Sequence, residues 1–276
     1  MLGPLSVPSS ARLEEEVVRH IATGGVALVA LSGGVDSSLV AALAFEALGS
    51  AAVAVTLAGP AVARTEVERA RRVADSIGID HLVLDIDPLA RADYRANTPN
   101  RCYFCRSVET EALLREGSRR GIAQYLDGVQ VDDLADDRPG LRAMDEAGFR
   151  HPLVWAGWRK YMVRDAARAR GLPNWDQPSD ACLSSRVAHG DSISTALLAR
   201  IEAGEAWILR QGFRRVRVRT RAGGARVEVD PDEVARLSSE PLASEVRRTL
   251  AALGFDPVVI DPLGYASGSH PPRSVE

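Results

Sequence analysis

Lysine is nearly absent from this chain of 276 residues: Lys160 stands alone among 34 lysines and arginines. So strong an arginine bias reads as a genomic composition effect, and it draws attention to the one lysine that persists. Cysteine is almost as scarce. Cys102, Cys105 and Cys182 are the only three, and an odd count argues against a disulfide framework. No apolar run reaches the roughly 20 residues of a membrane span. Met1–Arg12 lacks the charged and apolar layout of a secretory signal; a short disordered lead and a cytoplasmic protein are expected. An excess of positive charge is missing too. The net charge of −3 offers nucleic acid no global attraction and leaves only a local basic patch as a route to it. There is no internal repeat and no low-complexity tract.

What is present is regular alternation. A hydrophobic fraction of 46% is ordinary for a globular chain, and 276 residues hold one large or two modest domains. Apolar runs at Val26–Leu31, Ala51–Leu57 and His81–Ile86 read as strands, and Tyr125–Gly128 ends a fourth. Helical patterns lie between them: Leu39–Leu48 closed by Gly49, Thr65–Ile77 with Val67, Ala70, Val73 and Ala74 on one face, and Glu109–Arg120. This rhythm predicts an α/β fold with a doubly wound parallel sheet, whose ligands bind at the carboxyl ends of the strands. That rim takes in the loop at Ser32, the strand end near Thr56, and Asp127. Met162–Arg170 reads as a helix and Trp175–Gly190 as a loop. Beyond it come a helix at Thr195–Gln211, strict alternation over Arg215–Arg221, and a strand at Ala225–Val229. A helix started by Pro231, another over Ser244–Leu253 with Ser244 as N-cap, and a strand at Val258–Ile260 complete the pattern. The expected organisation is a lead over 1–12, a nucleotide-binding domain over 13–188 and a smaller α+β domain over 189–276 that binds substrate or mediates oligomerisation.

The first strand feeds Ser32-Gly33-Gly34-Val35-Asp36-Ser37-Ser38. Glycines let backbone N–H groups approach an anion, and a helix N-terminus adds partial positive charge. Ser32, Ser37 and Ser38 supply hydroxyls, and Asp36 is placed to hold a metal or orient the loop. The lysine of a Walker loop is missing. The pattern resembles instead the SGGxDS loop of PP-loop ATP pyrophosphatases, which bind ATP and release pyrophosphate. The bland alternative is an ordinary strand–turn–helix with a capping side chain.

Other stretches invite two readings each. Five aspartates lie between Asp127 and Asp137. Clustered carboxylates raise one another's pKa unless a cation intervenes, so Asp127 and Asp133 are candidates for the Mg2+ of ATP, against a plain acidic loop. Cys102 and Cys105 form a CxxC, which is a metal or cluster ligand pair, a redox pair, or two buried thiols. Cys182 sits among hydroxyls beside Arg186, a setting that lowers a thiol pKa and points to a reactive or ligating cysteine. Arg215, Arg217, Arg219 and Arg221 share a strand face by their period of two; they form a phosphate or carboxylate site, or a solvated face paired with Glu228. Lys160, downstream of His151-Pro152-Leu153, either reaches pyrophosphate or is an exposed helix-start lysine.

In order, Ser32–Ser38, Arg101–Cys105, the run from Asp127 to Gly140, Trp175–Arg186 with its Cys-Leu-Ser-Ser-Arg ending, Gly212–Arg219 and Ala225–Val229 resemble the LarE family. These are ATP-dependent sulfur transferases that build the nickel-pincer nucleotide of lactate racemase. The resemblance covers nearly the whole chain. It implies a substrate like pyridinium-3,5-biscarboxylic acid mononucleotide and ATP–Mg2+ that adenylylates a ring carboxylate with release of pyrophosphate. Sulfur then gives a thiocarboxylate. In the single-cysteine branch the residue matching Cys182 donates its own sulfur and becomes dehydroalanine. In the three-cysteine branch, residues matching Cys102, Cys105 and Cys182 hold a 4Fe-4S cluster that carries an extra sulfide. This chain has all three, which favours the cluster. The resemblance further makes Arg217 and Arg219 phosphate-binding arginines, places Arg186 at the end of the cysteine motif, and puts Glu205 where the family has an active-site glutamate. It implies a homo-oligomer fed by sulfide or another sulfur donor, with no nucleic-acid or membrane partner. The chain departs from the pattern at Leu57–Pro60, Val129-Gln130, Ala188-His189-Gly190 and Thr220-Arg221, so a diverged paralogue acting on another small carboxylate or nucleotide is an alternative.

Three rivals remain. A tRNA thiolase also joins a PP-loop to a CxxC and a third cysteine, but calls for a broader basic surface. An amidotransferase of the NAD or GMP synthetase type needs no cysteine trio. A nucleotide sensor binds ATP without releasing pyrophosphate.

Overall fold

The structure is a computed structural model and describes residues 10–135, 139–178 and 180–266. Most of the expected lead, Met1–Ser9, lies outside the described residues, as do Asp136, Asp137 and Arg138 of the acidic run and Ser179. The chain divides into two compact units. The first comprises Met1–Gly59, Arg64–Ile86 and Cys105–Ser179; the second comprises Pro60–Ala63, Asp87–Phe104 and Asp180–Glu276.

The first unit is built on strands β1 (Ala27–Ala30), β2 (Ala52–Ala58), β3 (Asp80–Asp85) and β4 (Gln124–Leu126). They pair in parallel in the order β3-β2-β1-β4. This is the doubly wound sheet that the alternation predicts. From β1 the chain moves outward to β2 and β3, then returns to place β4 on β1's other side. The crevice between β1 and β4 is therefore the switch point, where open α/β sheets hold ligands. β1 and the first five residues of β2 are buried nearly throughout, which explains their unbroken apolar runs.

Helix α1 (Ser10–Ala22) has no counterpart in the predicted elements and begins inside the expected lead; Leu13, Val17 and Ile21 recur every fourth residue and are buried. α2 (Val35–Leu48) is apolar on nearly every side because it lies between the sheet, α1, α3 (Arg64–Ile77) and α8 (Lys160–Ala169). Burial of Leu39 and Leu43, both 0% exposed, contributes about 1.5–3 kcal/mol each. Helices α4 (Ala92–Arg95), α6 (Pro139–Glu146) and α7 (Pro152–Trp155) are short and escape a periodicity argument. α5 spans Arg101–Arg119 rather than starting near Glu109, so Cys102 and Cys105 lie one turn apart on a helix.

The second unit carries α9 (Thr195–Leu209), the hairpin of β5 (Val216–Arg221) and β6 (Gly224–Val229), α10 (Val234–Leu237), α11 (Leu242–Ala252) and β7 (Val258–Ile260). β5 and β6 are antiparallel, and β7 adds to β6 in parallel. Ala222 and Gly223 turn the hairpin with φ of 48° and 88°, the pair of positive values a two-residue turn requires. The Ser194 hydroxyl caps α9 by accepting from Leu197 N at 3.2 Å. Helix α9 touches α11 at Gly204, where a Cβ would lie 2.5 Å from Leu250.

Two expectations are corrected here. Pro231 starts a single 3-10 turn before the short α10. Ser244 lies inside the first turn of α11, which follows Pro241; proline lacks the N–H that a helix start leaves unbonded anyway. Within Trp175–Gly190, Leu183–Arg186 forms a 3-10 turn. No helix among the described residues is long and apolar enough to cross a membrane.

Candidate active site

The loop between β1 and α2 is held by its own hydroxyls. Ser32 N donates to Ser37 Oγ at 3.2 Å, and the two hydroxyls lie 3.1 Å apart. Ser37 and Ser38 each donate to Gly34 O, at 3.1 and 2.8 Å. Gly33 has a φ of 79°, and a Cβ there would lie 2.8 Å from Glu66 O. Both the left-handed backbone and the close approach of α3 therefore require glycine. Gly128, just after β4, covers the start of α2; a Cβ there would lie 2.4 Å from Ser37 N. The ends of β1 and β4 thus bring Ser32–Ser38 together with Asp127-Gly128.

Lys160, the first residue of α8, places Nζ 2.5 Å from Asp36 Oδ2. Its backbone N–H donates to Asp132 at 2.9 Å, and Arg159 donates to the same carboxylate at 2.8 Å. Burial raises the Asp36 pKa, and the Lys160 ammonium opposes that rise. Asp133 closes a local turn, accepting from Gln130 N at 3.2 Å. Asp127 serves both its own turn and a histidine. Its Oδ1 accepts from Val129 N at 3.1 Å and meets His151 Nδ1 at 2.7 Å. His151 Nε2 reaches Asp145 at 2.8 Å. Burial lowers the imidazole pKa, but the two carboxylates outweigh it and hold it up at about 9. His151 is thus an imidazolium at neutral pH.

Asp36 Oδ1 and Asp127 Oδ2 are both buried without a hydrogen-bond partner among the described residues. Orphaned carboxylate oxygens at the mouth of an anion-binding loop fit a magnesium ion, which takes one or two carboxylates and completes its shell with phosphate and water. Among the described residues no three His, Cys, Asp or Glu gather into a metal-holding group.

In the second unit Cys182 precedes the turn Leu183–Arg186. The turn is anchored from below. Tyr94 Oη lies 2.6 Å from Ser184 Oγ, Arg101 donates to Ser184 O at 2.9 Å and to Asn97 Oδ1 at 2.6 Å, and Asn97 Nδ2 donates to Ala188 O at 2.7 Å. Arg186 is buried, donating to the Cys182 carbonyl at 3.0 Å and to that of Ala181. It also forms a two-pronged pair with Glu205 at 2.9 and 3.1 Å. Glu205 in turn accepts from Val218 N at 2.9 Å, so it fixes the turn against β5. Burial pushes the Cys182 thiol up, against the pull of Arg101 and Arg186. The lowering expected from Arg186 alone is therefore outweighed. Cys102 is exposed, and Cys105 Sγ meets Glu109 at 3.3 Å.

The arginine stripe is not a solvated face. Arg217 and Arg219 are buried; Arg217 pairs with Asp180 at 2.9 Å and Arg219 with Glu228 at 2.8 Å. Arg226 from β6 pairs with Asp261 at 3.0 Å. Arg215 precedes the strand and pairs with Asp230 at 3.0 Å, while Arg221 is exposed at its end. Carboxylates between the guanidiniums are what lets like charges share one face.

Sequence reasoning gives no role to Asn174, whose side chain bonds the loop, nor to Tyr94, Asn97 and Arg101. Arg101 abuts the CxxC, which is a local signal. Nothing in the neighbours of Asn174 marks it.

The switch-point loop, its acidic partner strand and its lysine define a class: an ATP-utilising α/β protein of the PP-loop type. A family model described as NAD synthase matches residues 8–125. An uncharacterized protein of Synechocystis sp. is 40% identical over 242 residues, covering 88% of this chain and 90% of that protein. Pyridinium-3,5-bisthiocarboxylic acid mononucleotide synthase of Lactiplantibacillus plantarum is 34% identical over 242 residues, 87% of each chain. A tRNA-specific 2-thiouridylase of Azorhizobium caulinodans is 35% identical over 219 residues, but these cover 65% of this chain and 55% of that protein. The chain belongs to the LarE family of ATP-dependent sulfurtransferases.

Proposed function

We propose that this enzyme converts a carboxylate of pyridinium-3,5-biscarboxylic acid mononucleotide to a thiocarboxylate. The observation that carries the reading is the loop Ser32–Ser38. Its hydroxyls turn the Gly34 carbonyl inward, which leaves N–H groups and the α2 dipole for a polyphosphate. The substrate comes from the synthase of L. plantarum, which aligns over 87% of this chain.

A carboxylate is a poor electrophile. Its oxygen attacks the α-phosphorus of ATP, the bond to the bridging oxygen breaks, and pyrophosphate leaves. Lys160 neutralises charge on the polyphosphate, and Asp36 and Asp127 would hold Mg2+, which would supply Lewis acidity. The acyl adenylate then loses AMP to a sulfur nucleophile. Arg217 and Arg219 are the candidates for the substrate phosphate, beside the carboxylates they already hold.

Two sources of sulfur suit the thiols of this chain. In one, Cys182 Sγ attacks the acyl carbon; the Cβ–Sγ bond then breaks, the Cα proton passes to a base, and dehydroalanine remains. In the other, Cys102, Cys105 and Cys182 would hold a 4Fe-4S centre, which would supply the sulfide. Protein purified without oxygen is mixed with ATP and the mononucleotide, and pyrophosphate, product mass and chain mass are followed. Pyrophosphate release that requires the mononucleotide, with sulfur in the product, is expected. About four iron and four sulfide per chain marks the cluster, and loss of sulfur from Cys182 marks the sacrificial route. Release that requires tRNA instead overturns the substrate in favour of a thiolase.

A further inference from the structure

Asn174 closes the ATP loop from behind. It is 3% exposed, and its Nδ2 lies 2.8 Å from Gly33 O and 2.9 Å from Ser38 Oγ. The orientation of its amide follows from chemistry, since Gly33 O only accepts and must face the nitrogen. With one N–H on Ser38 Oγ, the Ser38 proton is directed onward to Gly34 O at 2.8 Å. A directed chain thus runs from Asn174 through the Ser38 hydroxyl to the Gly34 carbonyl.

The consequence lies on the other side of each peptide. In a planar trans peptide the N–H points opposite to the C=O. Drawing Gly33 O toward Asn174 turns the Gly34 N–H away from it. Drawing Gly34 O into α2 turns the Val35 N–H away from that helix. A Gly-Gly pair has the widest choice of backbone conformations of any dipeptide; within the loop Ser32 Oγ accepts from Gly34 N at 3.3 Å and Ser37 and Ser38 donate to Gly34 O, and Asn174 adds a restraint on Gly33 O from outside it. Asn174 Oδ1 is buried and has no partner among the described residues. That unsatisfied acceptor is a cost which an apolar side chain of the same shape would avoid, so packing alone does not account for an asparagine here.

We infer that Asn174 is a positioning residue for the ATP polyphosphate, fixing the Gly33–Gly34 peptide before nucleotide arrives. This rests on the reading of Ser32–Ser38 as the ATP loop. The test is to titrate the full chain and its Asn174→Leu and Asn174→Asp variants with ATP, inorganic pyrophosphate and adenosine, alongside denaturant unfolding. Leucine keeps the shape without donors, and aspartate puts acceptors against acceptors. ATP and pyrophosphate binding weaken about tenfold in the leucine variant and further in the aspartate variant, while adenosine binding stays within about twofold. A folded leucine variant that binds pyrophosphate like the parent overturns the inference, as does an equal loss of adenosine binding. A parent chain that binds neither ATP nor pyrophosphate overturns the loop reading itself. If Asn174→Leu does not fold, Ser38→Ala keeps the Gly33 bond and cuts the relay. A smaller loss of pyrophosphate affinity supports the inference, and none overturns it.

Discussion

Lys160, the only lysine of the chain, sets its ammonium 2.5 Å from the Asp36 carboxylate across 124 residues of sequence. The pair spans the ATP loop. Burial raises the Asp36 pKa, and the Lys160 ammonium opposes that rise. The contact holds the carboxylate in place, and in the function proposed above the same ammonium serves as the cation that a Walker loop would otherwise carry.

Replacing Lys160 by methionine removes that cation while keeping the stem. Pyrophosphate release falls by on the order of a hundredfold or more, and Lys160→Arg retains part of it because the charge remains. Quenched-flow measurement of pyrophosphate at saturating ATP checks this. Release within a few-fold of the parent would reduce Lys160 to a structural partner of Asp36.

His151 links stability to pH. Its pKa of about 9 lies above the ordinary 6.5, so the native state binds the proton more tightly than the unfolded chain does. The stabilisation is complete below about pH 6.5 and is lost as pH rises through about 9. Discounted for screening at the exposed Asp145 end, it amounts to about 1–2 kcal/mol. Urea unfolding of the parent and His151→Gln from pH 6 to 10 should show a gap that is widest at the acid end and closes above about pH 9. A gap that does not change with pH would remove the imidazolium from the account.

Glu205 and Arg186 are both largely buried, and each satisfies the other. Glu205→Ala removes the carboxylate from a buried guanidinium and costs about 3–5 kcal/mol. Glu205→Gln costs less, since its carbonyl oxygen still accepts from the Val218 N–H. Equilibrium denaturation of the two variants gives the comparison, and equal losses would contradict the pairing.

The thiols should react in a definite order. Cys102 is exposed, whereas burial raises the Cys182 pKa and thins its thiolate. Iodoacetamide at neutral pH therefore labels Cys102 first, and Cys182 catches up as pH rises. Peptide mapping by mass spectrometry reads the order. Cys182→Ser should keep ATP binding and abolish sulfur transfer.

The strand–loop–helix at Ser32–Ser38 was legible because every part of it is local: an apolar run, two glycines, three hydroxyls and an acid within seven residues. The parallel sheet was legible for a similar reason, since unbroken apolar strands alternating with helical periods admit few arrangements. Composition marked Lys160, and order along the chain marked the cysteines and the Arg217–Arg219 strand. What these side chains touch was not written locally. Asp36 finds Lys160 at a separation of 124 residues, Asn174 finds Gly33 at 141, and Arg217 finds Asp180 at 37. An arginine stripe reads the same in one dimension whether it faces water, phosphate or buried carboxylates. The sign of the Cys182 shift depends on burial, which no flanking arginine reveals. The sequence by itself determined the sheet, the ATP loop and the family, because backbone conformation follows neighbours a few residues away. Only the tertiary structure decided which charges are paired and which polar atoms are left open, because desolvation and hydrogen bonding depend on what the fold brings within about 3 Å.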